Sequence, residues 1–247
     1  MDLAMDQERK ATENFILIQY VYIAMSVTYL LLGLHSNSKL LKLVLKCSPI
    51  ATLLGLIGYS AFNIFNGLGP LLPGNTLNNL WCLFWGILFS LLGDMYLVFD
   101  SMFLLGIVSF SMTQGIYAYF FNGAQLLLGI STGLEQQQII TALAIGLVSA
   151  IFYCYVYPKF SWKMSVLALL YCVLTSTMLW SAITRAQLTP STPNLTAAVG
   201  ACLFYISDLV LALKKWRFET PIADIVVMVT YYGAQLLIVR SVFTPLS

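Results

Sequence analysis

Residues 80–99 read Leu80-Trp-Cys-Leu-Phe-Trp-Gly-Ile-Leu-Phe-Ser-Leu-Leu-Gly-Asp94-Met-Tyr-Leu-Val-Phe99, a run whose only charged side chain is Asp94. About twenty apolar residues span the hydrocarbon of a bilayer as a helix. A β-barrel strand would be about ten residues long and alternate apolar with polar; this run does neither. Inside lipid every backbone amide needs a partner within its own segment, so the run is a helix. Seven further apolar runs lie at about 15–34, 42–59, 102–121, 138–157, 163–183, 196–213 and 221–243. Turn-forming or polar residues bound each of them. The fold class expected is an all-α integral membrane protein of eight transmembrane helices, one transmembrane domain over 1–247.

Composition points the same way. Of 247 residues, 60% are hydrophobic and 9% charged, and the mean hydropathy is +0.85. A soluble domain carries nearer ~25% charged residues. Twelve basic and ten acidic side chains do not cover a water-facing surface. This excludes a soluble enzyme, a nucleic-acid binder and a disordered chain. A net charge of +2 argues for no polyanionic partner, so the partners expected are membrane lipids.

Scarcity narrows the chemistry. His35 is the only histidine, whereas zinc hydrolase sites take two or three, and Ser–His or Cys–His catalysis needs one beside the nucleophile. Cys47, Cys82, Cys154, Cys172 and Cys202 lie in apolar runs without a CxxC pair and read as small buried hydrophobes. No metal and no other cofactor is expected. Gly129-Ile-Ser131-Thr-Gly133 matches the GxSxG pattern, but that motif works on a strand–turn–helix elbow with a histidine partner.

Basic residues in short loops set the orientation. Lys39, Lys42, Lys159, Lys163, Lys214, Lys215 and Arg217 flank the odd loops, against Arg9, Lys10, Arg185 and Arg240 on the other side. The bias places the odd loops in the cytosol and both termini outside or in a lumen. The sequon Asn194-Leu-Thr196 falls on the lumenal side, close to a span.

Spans three and seven share a pattern: Gly86, seven residues, Asp94, two residues, Leu97; then Gly200, seven residues, Asp208, two residues, Leu211. The offset of 114 residues also relates Tyr117 to Tyr231. With four helices per offset, the halves (about 1–121 and 122–247) would be parallel repeats about an axis along the membrane normal. Asp94 and Asp208 would then lie at one depth near the cytosolic ends of their helices. They are also the two acidic residues well inside spans. A carboxylate there costs at least ~2.5–3.5 kcal/mol unless it faces a polar interior. Two of them together would titrate as a unit and share one proton near neutral pH, an acid and a base for hydrolysis. The plainer alternative is that each caps a helix or pairs with a cation, Lys46 being available.

Lys46 precedes Pro49 by one turn, and a proline there frees backbone carbonyls. Lys46 therefore meets a carboxylate or a lipid phosphate, or it snorkels to the interface. Lys214-Lys215-Trp216-Arg217 reads as a topology signal, placed to suit a lipid phosphate as well. In Tyr231-Tyr232-x-x-Gln235, the glutamine is mid-span and needs a polar partner.

These pieces resemble the YhhN-like family of polytopic membrane proteins, the lysoplasmalogenases. The matching segments are Lys46-x-x-Pro49, Phe89-Ser90-x-x-Gly93-Asp94 with Leu97, Phe103-x-x-Gly106, Phe110, Tyr117, Gly200-Ala-x-x-Phe204 with Ser207-Asp208-x-x-Leu-Ala212, and Tyr231-Tyr232-x-Ala234-Gln235. Their order and spacing together carry the resemblance, which covers most of the chain. It implies eight helices and hydrolysis of the vinyl ether bond of lysoplasmalogens to a fatty aldehyde and glycerophosphocholine or glycerophosphoethanolamine. Asp94 and Asp208 become the catalytic candidates. Lys46, Ser90, Gln114, Tyr117, Ser207, Tyr231, Tyr232 and Gln235 become candidates for holding the lysophospholipid. The family commonly has histidine where this chain has Gln114, a departure that bears on proton transfer or head-group choice. The endoplasmic reticulum is the membrane suggested by that lipid chemistry. Two rival classes use the same features. A proton-coupled transporter also needs intramembrane carboxylates, and an intramembrane aspartyl protease also pairs aspartates, although Leu-Leu-Gly rather than Gly-x-Gly precedes Asp94.

Overall fold

The computed structural model describes residues 2–65, 77–121, 136–157, 161–218 and 220–243. The GxSxG stretch at 129–133 and Lys159 lie outside the described residues. The helices are α1 (Asp2–Thr28), α2 (Lys39–Phe65), α3 (Leu77–Leu97), α4 (Phe103–Phe120), α5 (Gln136–Val156), α6 (Trp162–Leu188), α7 (Thr192–Trp216) and α8 (Pro221–Phe243). Eight segments are long and apolar enough to cross a membrane, and each coincides with one of the expected runs. The protein is an integral, multi-pass, all-α membrane protein.

Several helices begin or end beyond their apolar runs, for local reasons. Ser38, Ser161 and Ser191 each accept a hydrogen bond from the amide three residues on, at Leu41, Met164 and Asn194. Each thereby satisfies one orphan donor of a helix start. Ser191 and the early Pro193 start α7 at Thr192, so Thr192 and Pro193, expected as linker, belong to the helix. The Asn194 amide nitrogen donates to the Thr189 carbonyl at 2.7 Å and to the Thr189 hydroxyl at 2.9 Å. Sugar on Asn194 Nδ2 would replace one of the two hydrogens that make these bonds. Pro49 sits inside α2; the carbonyl its missing N–H leaves free, on Leu45, accepts from the Ser48 hydroxyl at 3.1 Å.

The most extensive helix contacts are α7 with α8 and α3 with α4; α2 packs on α3, and α4 on α6. Glycines allow the two closest pairs. A Cβ on Gly86 would collide with the ring of Tyr117 from α4. One on Gly200 would lie 3.1 Å from the Ala234 carbonyl oxygen and 3.1 Å from the Ile238 amide nitrogen of α8. Small residues permit such close approach between membrane helices. Gly200→Val should force α7 from α8 and cost about 1–3 kcal/mol, seen as a lower Tm in detergent; an unchanged Tm would show that the contact is slack.

α5 packs mainly on α6 and presents Leu143, Leu147 and Ile151 outward, toward lipid. The cysteines differ from expectation. Cys154 on α5 is exposed and the other four are half-buried, so the thiols sit on the bundle's flanks rather than in its core.

Candidate active site

Asp94 lies near the end of α3 and is 2% exposed. Lys46 of α2 approaches it, Nζ to Oδ1 at 3.2 Å, and the Tyr231 hydroxyl of α8 donates to Oδ2 at 2.7 Å. One turn back along α3, the Ser90 hydroxyl accepts from Gln235 Nε2 at 2.8 Å. Ser90 and Asp94 are four apart, as are Tyr231 and Gln235, so antiparallel α3 and α8 meet through two polar rungs one turn apart. The Tyr117 hydroxyl donates to Gln235 Oε1 at 2.7 Å, and Thr113 bonds Ser90 at 3.2 Å. Tyr232 donates to the Lys46 carbonyl at 2.8 Å, bracing α2 at the residue that carries the cation.

Asp208 lies toward the end of α7 and is half-buried. Gln114 Nε2 of α4 donates to its Oδ2 at 2.8 Å, and the Thr175 hydroxyl of α6 donates to the same oxygen at 3.1 Å. The Tyr171 hydroxyl, one turn before Thr175, lies against the same carboxyl group. All three are neutral groups. Gln114 Oε1 is buried and has no partner among the described residues, a local cost of about 1–3 kcal/mol of the kind that collects at functional sites.

The two carboxyl groups face one cavity of about 240 Å³, but each has its own partners, and among the described residues no hydrogen bond joins them. The expectation of one directly shared proton therefore gives way to two different sites. For Asp94 the geometry is that of the plainer alternative, an ion pair with Lys46. Among the described residues Asp208 has no cation bonded to it.

Lys42, Lys46, Ser207 and Tyr231 also line this polar cavity. At its rim Lys214 pairs with Asp224, and Lys215 lies 3.6 Å from Asp100. A second cavity, of about 90 Å³, is walled mainly by carbon: Ile107 of α4, Phe152 and Val156 of α5, Ala168 of α6 and Leu209 of α7. The two share Leu97, Phe103, Phe110, Leu211 and Asp208. Asp208 is thus the carboxyl group on the boundary between a charged chamber and an apolar slot. Among the described residues no group of three or more His, Cys, Asp or Glu side chains is arranged to hold a metal ion.

Of the residues singled out in the sequence, Lys46, Asp94, Ser207, Asp208 and Tyr231 line the polar cavity, and Gln114 reaches Asp208. Ser90, Tyr117 and Gln235 form the buried rung beneath Asp94 and line neither cavity. Tyr232 is a backbone brace, and the Ser207 hydroxyl donates to the Val227 carbonyl at 3.0 Å. Sequence reasoning missed Tyr171 and Thr175, whose four-residue spacing puts two hydroxyls on one face of α6. It also passed over Tyr29 and took Lys42 only as a topology charge.

A sequence model of the YhhN family matches residues 41–242. Lysoplasmalogenase TMEM86A from Bos taurus is 31% identical over 219 residues, covering 86% of this chain and 83% of that protein. The Homo sapiens protein of the same name gives the same identity and coverage. Lysoplasmalogenase TMEM86B from Rattus norvegicus is 27% identical, covering 89% of this chain and 80% of its own. No solved structure matches. With its eight spans, its two intramembrane aspartates and a family match over most of its length, the chain belongs to the YhhN family.

Proposed function

We propose that the protein is a membrane-embedded lysoplasmalogenase. It would hydrolyse the vinyl ether bond of alkenyl-glycerophosphocholine or alkenyl-glycerophosphoethanolamine. The observation that carries this reading is the position of Asp208 between the charged chamber and the apolar slot. A lysoplasmalogen has the same division: a phosphorylated glycerol on one side, a hydrocarbon chain on the other, and the vinyl ether where they join. With the head in the chamber and the chain in the slot, the reactive bond lies at Asp208. The names of the relatives support the same chemistry.

The partners of the carboxyl groups separate their roles. Asp208, bonded by neutral donors, is the general acid. Its proton goes to the β-carbon of the vinyl ether, and the π electrons form the new C–H bond. Positive charge then spreads over the α-carbon and the ether oxygen. Water adds at the α-carbon and returns a proton to Asp208. The hemiacetal hydroxyl then loses its proton, the C–O bond to glycerol breaks as the glycerol oxygen takes up a proton, and aldehyde and glycerophospho-base leave. The electronic demand parallels that of glycoside cleavage, where two carboxyl groups serve. Asp94, ion-paired with Lys46, is the carboxylate that steadies the cation across the chamber. Gln114 is a positioning residue: it fixes the Asp208 carboxyl plane through one oxygen. The chamber lies at the end of the bundle bearing the basic loops, the side the charge bias places in the cytosol. The lipid chemistry suggests the membrane of the endoplasmic reticulum.

The test is incubation of purified protein in detergent with alkenyl-glycerophosphoethanolamine, followed by mass spectrometry. Free aldehyde in equal amount to glycerophosphoethanolamine is expected. Proton flux through reconstituted liposomes with no lipid turnover would replace this reading with transport.

A further inference from the structure

The polar chamber holds two groups that the catalytic scheme leaves unused. Lys46, Lys214 and Lys215 are each committed to an aspartate: Asp94, Asp224 and Asp100. Lys42 lines the same chamber, is half-buried, and among the described residues has no carboxylate partner. Tyr29 also lines it. Tyr29 as a residue is 2% exposed; its hydroxyl is not one of the fully buried unpartnered atoms and, with no hydrogen-bond partner among the described residues, it opens on the chamber. A buried phenol normally finds a partner.

Local backbone explains how Tyr29 reaches the chamber. It opens a π-helical turn, Tyr29–Gly33, that closes the first span. Such turns are rare and are frequent at functional sites. A Cβ at position 33 would collide with the Tyr29 ring, so Gly33 lets the ring lie back along its own helix. Tyr232 holds the ring edge-on at 6.1 Å between centroids. Two hydrogen-bond donors, one from the π-helical turn after α1 and one, a cation, from α2, thus face the chamber that Asp94 and Asp208 line.

We propose that Tyr29 and Lys42 form a phosphate subsite, which takes the phosphodiester of the substrate's head group. This rests on the proposed function, since it assigns the half of the substrate that the apolar slot does not hold. An ammonium is a donor only and a phenol O–H can donate as well as accept, so both can meet the acceptor oxygens of a phosphodiester. They would select a lysophospholipid over an alkenylglycerol with no phosphate.

The experiment compares wild type, Tyr29→Phe, Lys42→Gln and Lys42→Arg with two substrates, alkenyl-glycerophosphoethanolamine and alkenylglycerol. Preference for the phosphorylated substrate, read as the ratio of KM values, should fall about tenfold in Tyr29→Phe and in Lys42→Gln, the loss expected of one hydrogen bond to a charged group. The kcat should hold, and Lys42→Arg should restore most of the preference. Equal KM changes for both substrates, or none, would overturn the subsite.

Direct binding of lysophosphatidylethanolamine, measured by native mass spectrometry, keeps the two proposals apart. Wild-type protein that binds this lipid but cleaves no alkenyl lipid would overturn the function, while weaker binding by both variants would uphold the subsite. Binding unchanged in both variants would overturn the subsite alone. Displacement by inorganic phosphate as effective as displacement by glycerophosphoethanolamine would mean a site for free phosphate, and would also overturn it.

Discussion

Asp208→Asn should abolish most aldehyde release, lowering kcat by about 10²–10⁴-fold, the usual contribution of a positioned general acid. Asparagine keeps the shape of the side chain. Its carbonyl oxygen still accepts from Gln114 Nε2 and the Thr175 hydroxyl, which converge on Oδ2 in the native site. The helices around it therefore have no cause to move. Tm in detergent and binding of lysophosphatidylethanolamine should stay close to wild type while turnover disappears. A variant that turns over within about tenfold of wild type, below the usual range for such an acid, would remove Asp208 from the chemistry.

Lys46 and Asp94 should show a different pattern, because their pairing is structural as well as chemical. Among the described residues, Lys46→Met leaves Asp94 buried with the Tyr231 hydroxyl as its one hydrogen-bond donor. Removing one partner of a buried ion pair costs about 3–5 kcal/mol. The expected result is a large fall in Tm and loss of activity. Adding Asp94→Asn removes the uncompensated charge as well, and replacing both members of such a pair is often neutral or stabilising. The double variant should therefore regain stability and remain inactive. A double variant as unstable as Lys46→Met would mean that the ion pair does not set stability. Recovered turnover would mean that Asp94 has no part in catalysis.

The fold was legible in the sequence because bilayer physics is severe. Runs such as 80–99 and 138–157 are too long and too apolar for any other role, and each is a helix in the structure. What composition could not supply was capping. The start of α7 at Thr192 depends on one serine and one proline, which hydropathy counts as linker. The carboxylates were legible for a similar reason, as the acids with no place in hydrocarbon. We propose that the 114-residue offset that paired them marks a duplicated four-helix unit, supported by Gly86 lying in the α3–α4 contact and Gly200 in the α7–α8 contact.

Their partners were harder to read. Lys46 was visible as a cation in an apolar run, but whether it meets Asp94, Asp208 or a phosphate depends on how α2 rotates against α3. Thr175 and Tyr171 were hidden because hydroxyls are common in membrane helices, where they satisfy their own backbone. Ser26, Thr177 and Ser181 do that here. Gln114 is the side chain of α4 that bonds Asp208. A glutamine can hold Asp208 but cannot relay a proton as an imidazole does, so the proposed mechanism leaves acid catalysis to Asp208 itself.

The most direct measurement is hydrolysis in D₂O. Protonation of the β-carbon by an acid that exchanges with solvent predicts one deuterium at C2 of the fatty aldehyde, trapped by reduction as it forms, and none in recovered substrate. Aldehyde released by wild-type protein without deuterium at C2 would contradict proton transfer to carbon, and with it the role assigned to Asp208.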